Sequence, residues 1–195
     1  MTTNFDAQSD KVLSPAYLAH IVLRTNKFKE MAAYYKTFLG ASISHENEML
    51  SFLTFDEEHH HVAIARIPNT TNRTPNTCGL EHFAFTYRSL TDLALAYRQR
   101  KARGILPVWC INHGPTTSIY YCDTDGNRIE TQVDNFDTVE EIMRFIQSPE
   151  FAENPIGTDF DPEILVERLQ RGDEEKEIKK REEIGLRGLL DVAQQ

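Results

Sequence analysis

Three features that would assign a chain to a definite class are missing from this sequence. It has 3 cysteines, an odd number without Cys-x-x-Cys spacing, which argues against a disulfide framework and a cysteine zinc site. Basic residues are in the minority, 21 against 30 acidic ones, so clustered positive charge for nucleic acid or anionic lipid is not expected. The cysteines are therefore expected to be reduced thiols, as in a cytoplasmic protein. The net charge of -9 favours a small molecule or another protein as the partner.

Long apolar runs are also missing. No stretch is long enough to cross a bilayer, and residues 1–10 contain no basic segment followed by an apolar one. We therefore expect a cytoplasmic protein that does not contact membranes. The length of 195 residues, 40% of them hydrophobic, favours one compact domain with an extension.

The most informative feature that is present is an internal repeat. The segment Leu18–Leu23 has the pattern of Leu80–Phe85, and a shift of 62 positions superposes the two. Apolar residues at helical spacing follow each segment, and Gly40 and Gly104 stand where a helix would end in a left-handed conformation. Three short apolar or alternating stretches come next in each copy. Each half is therefore predicted to be a βαβββ module.

The repeat divides the chain into five parts. We predict that the strands after the helix are 41–44, 49–55 and 60–67 in the first module, and 105–110, 117–122 and 128–133 in the second. The predicted parts are a flexible N-terminus (1–15), module 1 (16–68), a linker (69–77), module 2 (78–134) and a helical C-terminal extension (135–195). In the extension, Asp137 or Thr138 and then Asp161 are expected as helix caps. The charge-dense end from Asp173 is expected to be a peripheral arm or a solvated tail.

Two histidines occupy the same place in the two modules. Taken alone, His20 and His82 are each explained more simply as core histidines, but their equivalent positions predict that sheet packing brings them together. In the last strand of module 2, alternation sets Glu130 on the face opposite Ile129 and Thr131. A carboxylate on a concave sheet face is costly unless it is paired or binds a metal. Two imidazoles and one carboxylate are the ligand set of non-heme Fe(II) sites.

These residues, with the motif YYCDTDGNRIE at 120–130, make the sequence similar to the vicinal oxygen chelate superfamily, and within it to the type I extradiol dioxygenases. The resemblance covers roughly residues 16 to 134. It implies an α+β fold whose two modules form a curved, half-open β-barrel around a metal site, followed by the helical extension. The implied ligands are His20, His82 and Glu130, with Fe(II) as the metal and Mn(II) or another divalent metal as the alternative. The implied reaction is cleavage of a catechol-like aromatic diol by O2.

Three further residues match positions that extradiol dioxygenases use for acid–base work. His60, within the run 59–61, is the candidate catalytic base, although a solvated histidine run is the simpler explanation. Tyr120 matches a tyrosine that hydrogen-bonds a substrate hydroxyl, with a core aromatic as the alternative. His113 matches a substrate-side histidine only approximately, because its spacing to the tyrosine is shorter and Gly114 stands where some members carry an acid.

Other members of the superfamily define the alternatives. Isomerases and epimerases take a fourth ligand from the last strand of module 1, but His61–Ile67 offers only Ala, Ile or Arg near the expected metal. This favours oxygen activation, with an isomerase, an epimerase or a thiol transferase as the alternative. A non-catalytic binding module is less favoured because all three ligands are present. Larger extradiol enzymes carry four modules, so this two-module chain is expected to form a homo-oligomer, most simply a dimer through the C-terminal helices.

Overall fold

The computed structural model describes residues 10–74 and 77–191. Residues 1–9 of the predicted flexible N-terminus and 75–76 of the predicted linker lie outside the described residues. The first half contains β1 (Ile21–Arg24), α1 (Phe28–Leu39), β2 (Ser42–Glu46), β3 (Leu50–Thr54) and β4 (Val62–Ala65). The second contains β5 (His82–Thr86), α2 (Leu90–Lys101), β6 (Trp109–Asn112), β7 (Thr116–Cys122) and β8 (Arg128–Asp134).

The C-terminal extension is built from short elements. They are α3 (Val139–Ile146), α4 (Pro149–Glu153), β9 (Thr158–Asp159), α5 (Pro162–Arg171), α6 (Glu175–Ile178) and a 3-10 turn at Leu189–Asp191. Thr138 caps α3 in a capping box with Glu141, and Asp161 caps α5. Among the residues that the structure describes, no helix combines the length and apolarity that a membrane span requires.

The strands form two sheets, in the orders β1-β4-β3-β2 and β5-β8-β7-β6-β9. In each sheet the first strand of the module pairs in parallel with its last strand, and the other pairs are antiparallel. Within residues 10–74 and 77–191 neither sheet closes into a barrel. The predicted α+β class and the open character of the sheets are confirmed.

Two predicted strands differ most from the structure, and one observed strand was not predicted. β4 is shorter than predicted, and β6 begins at Trp109 rather than at residue 105. Pro107 explains the late start, because it lacks the N–H that a ladder requires, and pairing begins with the N–H of Val108 donating to Tyr120. Strand β9 could not be predicted, since two residues are too few for an alternating pattern to appear.

Helix α1 joins the two modules. Its Tyr35 and Phe38 side chains are buried in a core that includes residues of both sheets. The ring of Phe38 lies 5.1 Å from that of Tyr121, and the Tyr35 hydroxyl donates to Asp123 over 2.8 Å. Asp123 also accepts the backbone N–H of Asn127 at 2.9 Å. The β7–β8 turn is thereby fixed to module 1, which sets the position of the strand that carries the candidate carboxylate ligand.

A buried cation forms a second link between the modules. Arg100, near the end of α2, is 3% exposed. Its Nε donates to the carbonyl of Phe38 at 2.9 Å, at the end of α1, and one Nη donates to the Tyr87 hydroxyl at 2.6 Å. The guanidinium carbon lies 3.9 Å from the centre of the Phe38 ring. Arg100 therefore satisfies a helix-terminal carbonyl and packs as an apolar group as well.

The extension is tied to α2 by a carboxylate. Glu175 accepts the backbone N–H groups of Leu90 and Thr91 at 3.1 and 3.0 Å, and the Thr91 hydroxyl at 2.7 Å. These are N–H groups that the first turn of a helix cannot satisfy itself. Burial raises the pKa of Glu175, but the hydrogen bonds from Thr91 and Leu90 outweigh it, so the pKa lies below the ordinary value of 4.5.

We expect Glu175→Gln to lower the free energy of unfolding by about 0.5–1 kcal/mol at neutral pH, a small value because the carboxylate is partly exposed. The folded-state pKa is the lower one, so the contribution is complete above the unfolded pKa and is lost as pH falls through the folded pKa. Urea unfolding at neutral pH and in acid should therefore show a difference that shrinks as the pH falls below the ordinary pKa of 4.5. Glu174→Gln is the control, and an equal loss at both pH values would contradict the assignment.

Candidate active site

One face of the second sheet carries a row of polar and aromatic side chains. The strand register pairs Glu130 with Tyr120 and Tyr120 with Trp109, so three adjacent strands present them side by side. On the fourth strand, His82 reaches the same row, with its Nε2 atom 3.1 Å from a carboxylate oxygen of Glu130. As the alternation predicted, Ile129 and Glu130 point to opposite faces of β8, because the first packs in the hydrophobic core while the second contacts His82.

Tyr120 lies at the centre of this row and is 4% exposed. Burial raises its pKa well above the ordinary tyrosine value, and the charge of Glu130 raises it further. Its ring contacts that of His82 edge-on at 5.4 Å and that of Trp109 at 5.1 Å. Tyr120 is therefore a buried, protonated phenol whose ring packs between His82 and Trp109 on the polar face of the second sheet.

His113 follows β6 and extends the row beyond Tyr120. Its Nε2 atom lies 2.9 Å from the Tyr120 hydroxyl, and its Nδ1 atom is hydrogen-bonded to the carbonyl of Ile156. Burial lowers the pKa of His113, although the bond to Ile156 and the charge of Glu130 act in the opposite direction. The predicted His113 and Tyr120 are thus in direct contact, and His113 is a neutral imidazole at neutral pH.

The first module contributes a separate group around His60. The ring of His60 is 9% exposed, stacks on Phe52 at 4.5 Å and lies 4.4 Å from the ring of His20. Its neighbour His61 instead pairs with Asp56 at 2.7 Å. Burial lowers the pKa of His60, and the nearby histidines lower it further. His60 is therefore an enclosed, uncharged imidazole that can accept a proton, unlike a solvated histidine.

The three predicted metal ligands fall into these two groups, His82 with Glu130 and His20 beside His60. In the described part of the chain, no group of three His, Cys, Asp or Glu side chains is arranged to hold a cation. The donor types nevertheless fit a divalent metal, and Glu130 is buried as such a ligand should be. The distance of 3.1 Å from His82 Nε2 to Glu130 Oε2 is also compatible with two ligands of one metal ion. Adjacent donors that each lie about 2.1 Å from an octahedral ion are about 3 Å apart.

The last strand of module 1 offers no further donor on this face. Its register pairs Ala63 with Val22 and Ala65 with Arg24, the two residues of β1 that alternate onto the same face as His20. Two methyl groups stand where a four-ligand site would require a carboxylate or an imidazole. The sequence left Ala, Ile or Arg open at this position, and the register places alanines there.

Sequence reasoning missed the part of the site that the extension supplies. Ile156 packs with Ile111, Tyr120 and Trp109 in a small apolar cluster on the active-site face. A solvated tail is also the wrong description of Arg181, whose side chain is 2% exposed. The hydrogen bond between Ile156 and His113 is made by the backbone carbonyl of Ile156. Every residue has such a carbonyl, so the sequence contained no specific signal for this contact.

Comparison with known proteins agrees with this arrangement. A family model described as the glyoxalase/bleomycin resistance protein/dioxygenase superfamily matches residues 17–131. Biphenyl-2,3-diol 1,2-dioxygenase 2 of Rhodococcus globerulus is 43% identical over 155 residues, 79% of this chain and 82% of the relative. Biphenyl-2,3-diol 1,2-dioxygenase 3 of the same organism is 44% identical over 163 residues, 83% of this chain and 86% of the relative. Both matches are too long to lie within residues 1–131, so they include part of the extension.

Solved structures share the fold at lower sequence similarity. Lactoylglutathione lyase from Agrobacterium tumefaciens superposes with a TM-score of 0.50 at 16% identity, over 61% of this chain and 94% of that one. At this identity the similarity concerns the fold alone. All six predicted site residues lie within residues 17–131, the range that the family model matches.

Proposed function

The chain belongs to the glyoxalase/bleomycin resistance protein/dioxygenase superfamily, and on this basis we propose that it is an extradiol dioxygenase that cleaves a catechol-like aromatic diol with O2. The observation that carries the proposal is 43% and 44% identity to two biphenyl-2,3-diol 1,2-dioxygenases over about four-fifths of the chain. The contact of His82 with Glu130, beside Tyr120 and His113, supports it.

We propose that His20, His82 and Glu130 hold a divalent metal, and that this metal is Fe(II). When bound, Fe(II) supplies coordination for both diol oxygens and the electron transfer that activates O2. His82 and Glu130 would bind from the second sheet and His20 from the first. The same three donors accept Mn(II), so the ligand set and the metal are separate parts of the proposal.

The chain's own residues would bind the diol and handle its protons. His60 is proposed as the base, since a neutral imidazole can accept a proton from a diol hydroxyl near neutral pH. Tyr120 would hydrogen-bond a substrate hydroxyl, and His113 would hold Tyr120 from the other side. Phe52 stacks on His60 and Trp109 lies against Tyr120, so each of these polar groups has an aromatic neighbour that can pack against a ring substrate and exclude water.

Oxygen uptake by protein reconstituted anaerobically with Fe(II) tests the function. On a panel of catechol and biphenyl-2,3-diol type substrates we expect one O2 consumed per diol, matched by the yellow ring-opened product. Light scattering on the same preparation gives the number of chains, for which we propose two, and fractionation of the producing cells tests a cytoplasmic location. If metal binds but no diol supports uptake, the activity is an oxygen-independent reaction of the superfamily.

A further inference from the structure

His113 is held between the catalytic face and the C-terminal extension. A backbone carbonyl can only accept a hydrogen bond, so the Nδ1 atom that faces Ile156 must carry the proton. In a neutral imidazole the other nitrogen, Nε2, then has a free lone pair. That lone pair faces the Tyr120 hydroxyl at 2.9 Å. The Ile156 carbonyl thus selects one of the two neutral forms of His113.

Glycine permits the extension to approach His113 this closely. Gly157 has a φ of +116°, and a Cβ atom there would lie 2.2 Å from the carbonyl oxygen of Asn112 and 2.7 Å from the Cα atom of His113. Gly114 has a φ of +98°, and its Cβ atom would lie 2.1 Å from the ring of Phe145. The extension therefore packs closely against the backbone of the loop that carries His113, with its own backbone at Gly157 and with the ring of Phe145 at Gly114.

The Ile156 carbonyl is itself held by a buried polar network. The side chain of Asn154, 1% exposed, accepts the N–H groups of Ile156 and Gly157 at 3.2 and 2.7 Å. Arg181 then fixes the backbone of this loop, with an Nη atom 2.7 Å from the carbonyl of Asn154 and the other 3.0 Å from that of Glu150. Arg181 therefore contacts both sides of the His113–Ile156 pair, because the Nη atom that donates to Asn154 also lies 3.4 Å from the backbone carbonyl of His113.

We propose that Arg181 is a positioning residue, which holds the Ile156 carbonyl against His113 and so fixes His113 in the Nδ1–H form with its Nε2 lone pair directed at Tyr120. The geometry carries this assignment, while its catalytic consequence rests on the proposed ring-cleavage function. In the Nδ1–H form Tyr120 donates its proton to His113, which leaves the phenol oxygen free to accept a hydrogen bond from a diol hydroxyl. In the other form His113 donates to Tyr120, and the phenol proton turns to the neighbouring Glu130 carboxylate or to the substrate position.

The protonated nitrogen can be measured without activity. In full-length protein labelled with 15N-histidine and supplemented with diamagnetic Zn(II), we expect His113 to show a protonated Nδ1 and an unprotonated Nε2 at neutral pH. The His113 signals are assigned by their loss in His113→Gln. A wild-type His113 in the Nε2–H form, or doubly protonated at neutral pH, would overturn the proposal whatever the activity of the enzyme.

The role of Arg181 is tested with Arg181→Met, which keeps the length of the stem and removes the donors. We expect a mixture of the two His113 forms and a fall in kcat on the order of tenfold with little change in KM, the size typical of lost outer-shell contacts. Arg171→Met is the control, because Arg171 belongs to the same extension and its side chain is 70% exposed. An unchanged His113 form in folded Arg181→Met overturns the role of Arg181.

If Arg181→Met does not fold, Arg181→Lys carries the same comparison, since it keeps a cation and loses the paired donors. The ring-cleavage function and the protonated form of His113 are decided by different measurements. A wild-type enzyme that cleaves no diol ends the ring-cleavage proposal, whereas the His113 spectrum still decides the form that the Ile156 carbonyl selects.

Discussion

Replacement of Glu130 by glutamine is expected to lower the rate of diol cleavage by about a thousandfold or more, because several kcal/mol of metal-derived stabilisation correspond to that factor. Glutamine keeps the shape of the side chain on β8 and can still contact His82, which lies 3.1 Å away. It removes the only negative charge of the proposed ligand set. The loss should therefore appear as lost metal affinity in a protein that still folds.

Metal content and oxygen uptake, measured on the same Glu130→Gln preparation, check this prediction. We expect less than one Fe(II) per chain after gel filtration and no product above background, with a circular dichroism spectrum like that of the wild type. Glu81→Gln is the matched control, since Glu81 adjoins His82 in the sequence but its side chain is 72% exposed and pairs with Arg128. A variant that binds a full equivalent of iron and turns over normally removes Glu130 from the ligand set.

The largest effect on stability is expected from Arg100→Ala, which should lower the free energy of unfolding by about 3 kcal/mol. The change leaves the buried Phe38 carbonyl without its donor and opens a cavity where the guanidinium packs on the Phe38 ring. It also breaks the bond to the Tyr87 hydroxyl. Because these contacts join α2 to the end of α1, the loss should affect the cooperative unfolding of the whole domain and not only one helix.

Urea unfolding followed by fluorescence and circular dichroism measures this loss. Arg103→Ala is the control, because Arg103 is exposed and its side chain donates to the carbonyl of Gln99 in the adjoining turn of α2. We expect its effect to stay within about 0.5 kcal/mol. A similar, small loss in both variants would show that the buried guanidinium is replaceable by solvent, contrary to its assigned role.

The strand positions and facing of several candidate site residues could be predicted from sequence because they follow simple periodic rules. Alternation along β8 separates Glu130 from Ile129, and the repeat placed His20 and His82 at equivalent strands. His60 required the family resemblance, since a histidine run has no period of its own. The structure adds that His60 is buried against Phe52 and His20, whereas His61 stacks on Phe55 and pairs with the exposed Asp56, a difference that no pattern within the run predicts.

The contribution of the extension could not be predicted in the same way. Its charge-dense composition is typical of a solvated surface, yet Arg181 is buried because backbone carbonyls about 30 residues earlier in the chain accept hydrogen bonds from its N–H groups. Every residue has a backbone carbonyl, so these acceptors cannot be recognised from the residue types. Gly157 follows Ile156, whose carbonyl bonds His113, and a glycine in the sequence can indicate a close backbone approach. A single glycine does not indicate which other segment makes that approach.

The two-residue strand β9 has a consequence for how copies of this protein can meet. It pairs with Ile111 and Asn112 of β6, and the N–H of Phe160 donates to the carbonyl of Cys110. A sheet edge with free amides is a template on which a neighbouring chain can add a strand and start an aggregate. Here the chain occupies that template with its own backbone, so the fragment of extension that supports His113 also closes the adjacent edge to intermolecular strand addition.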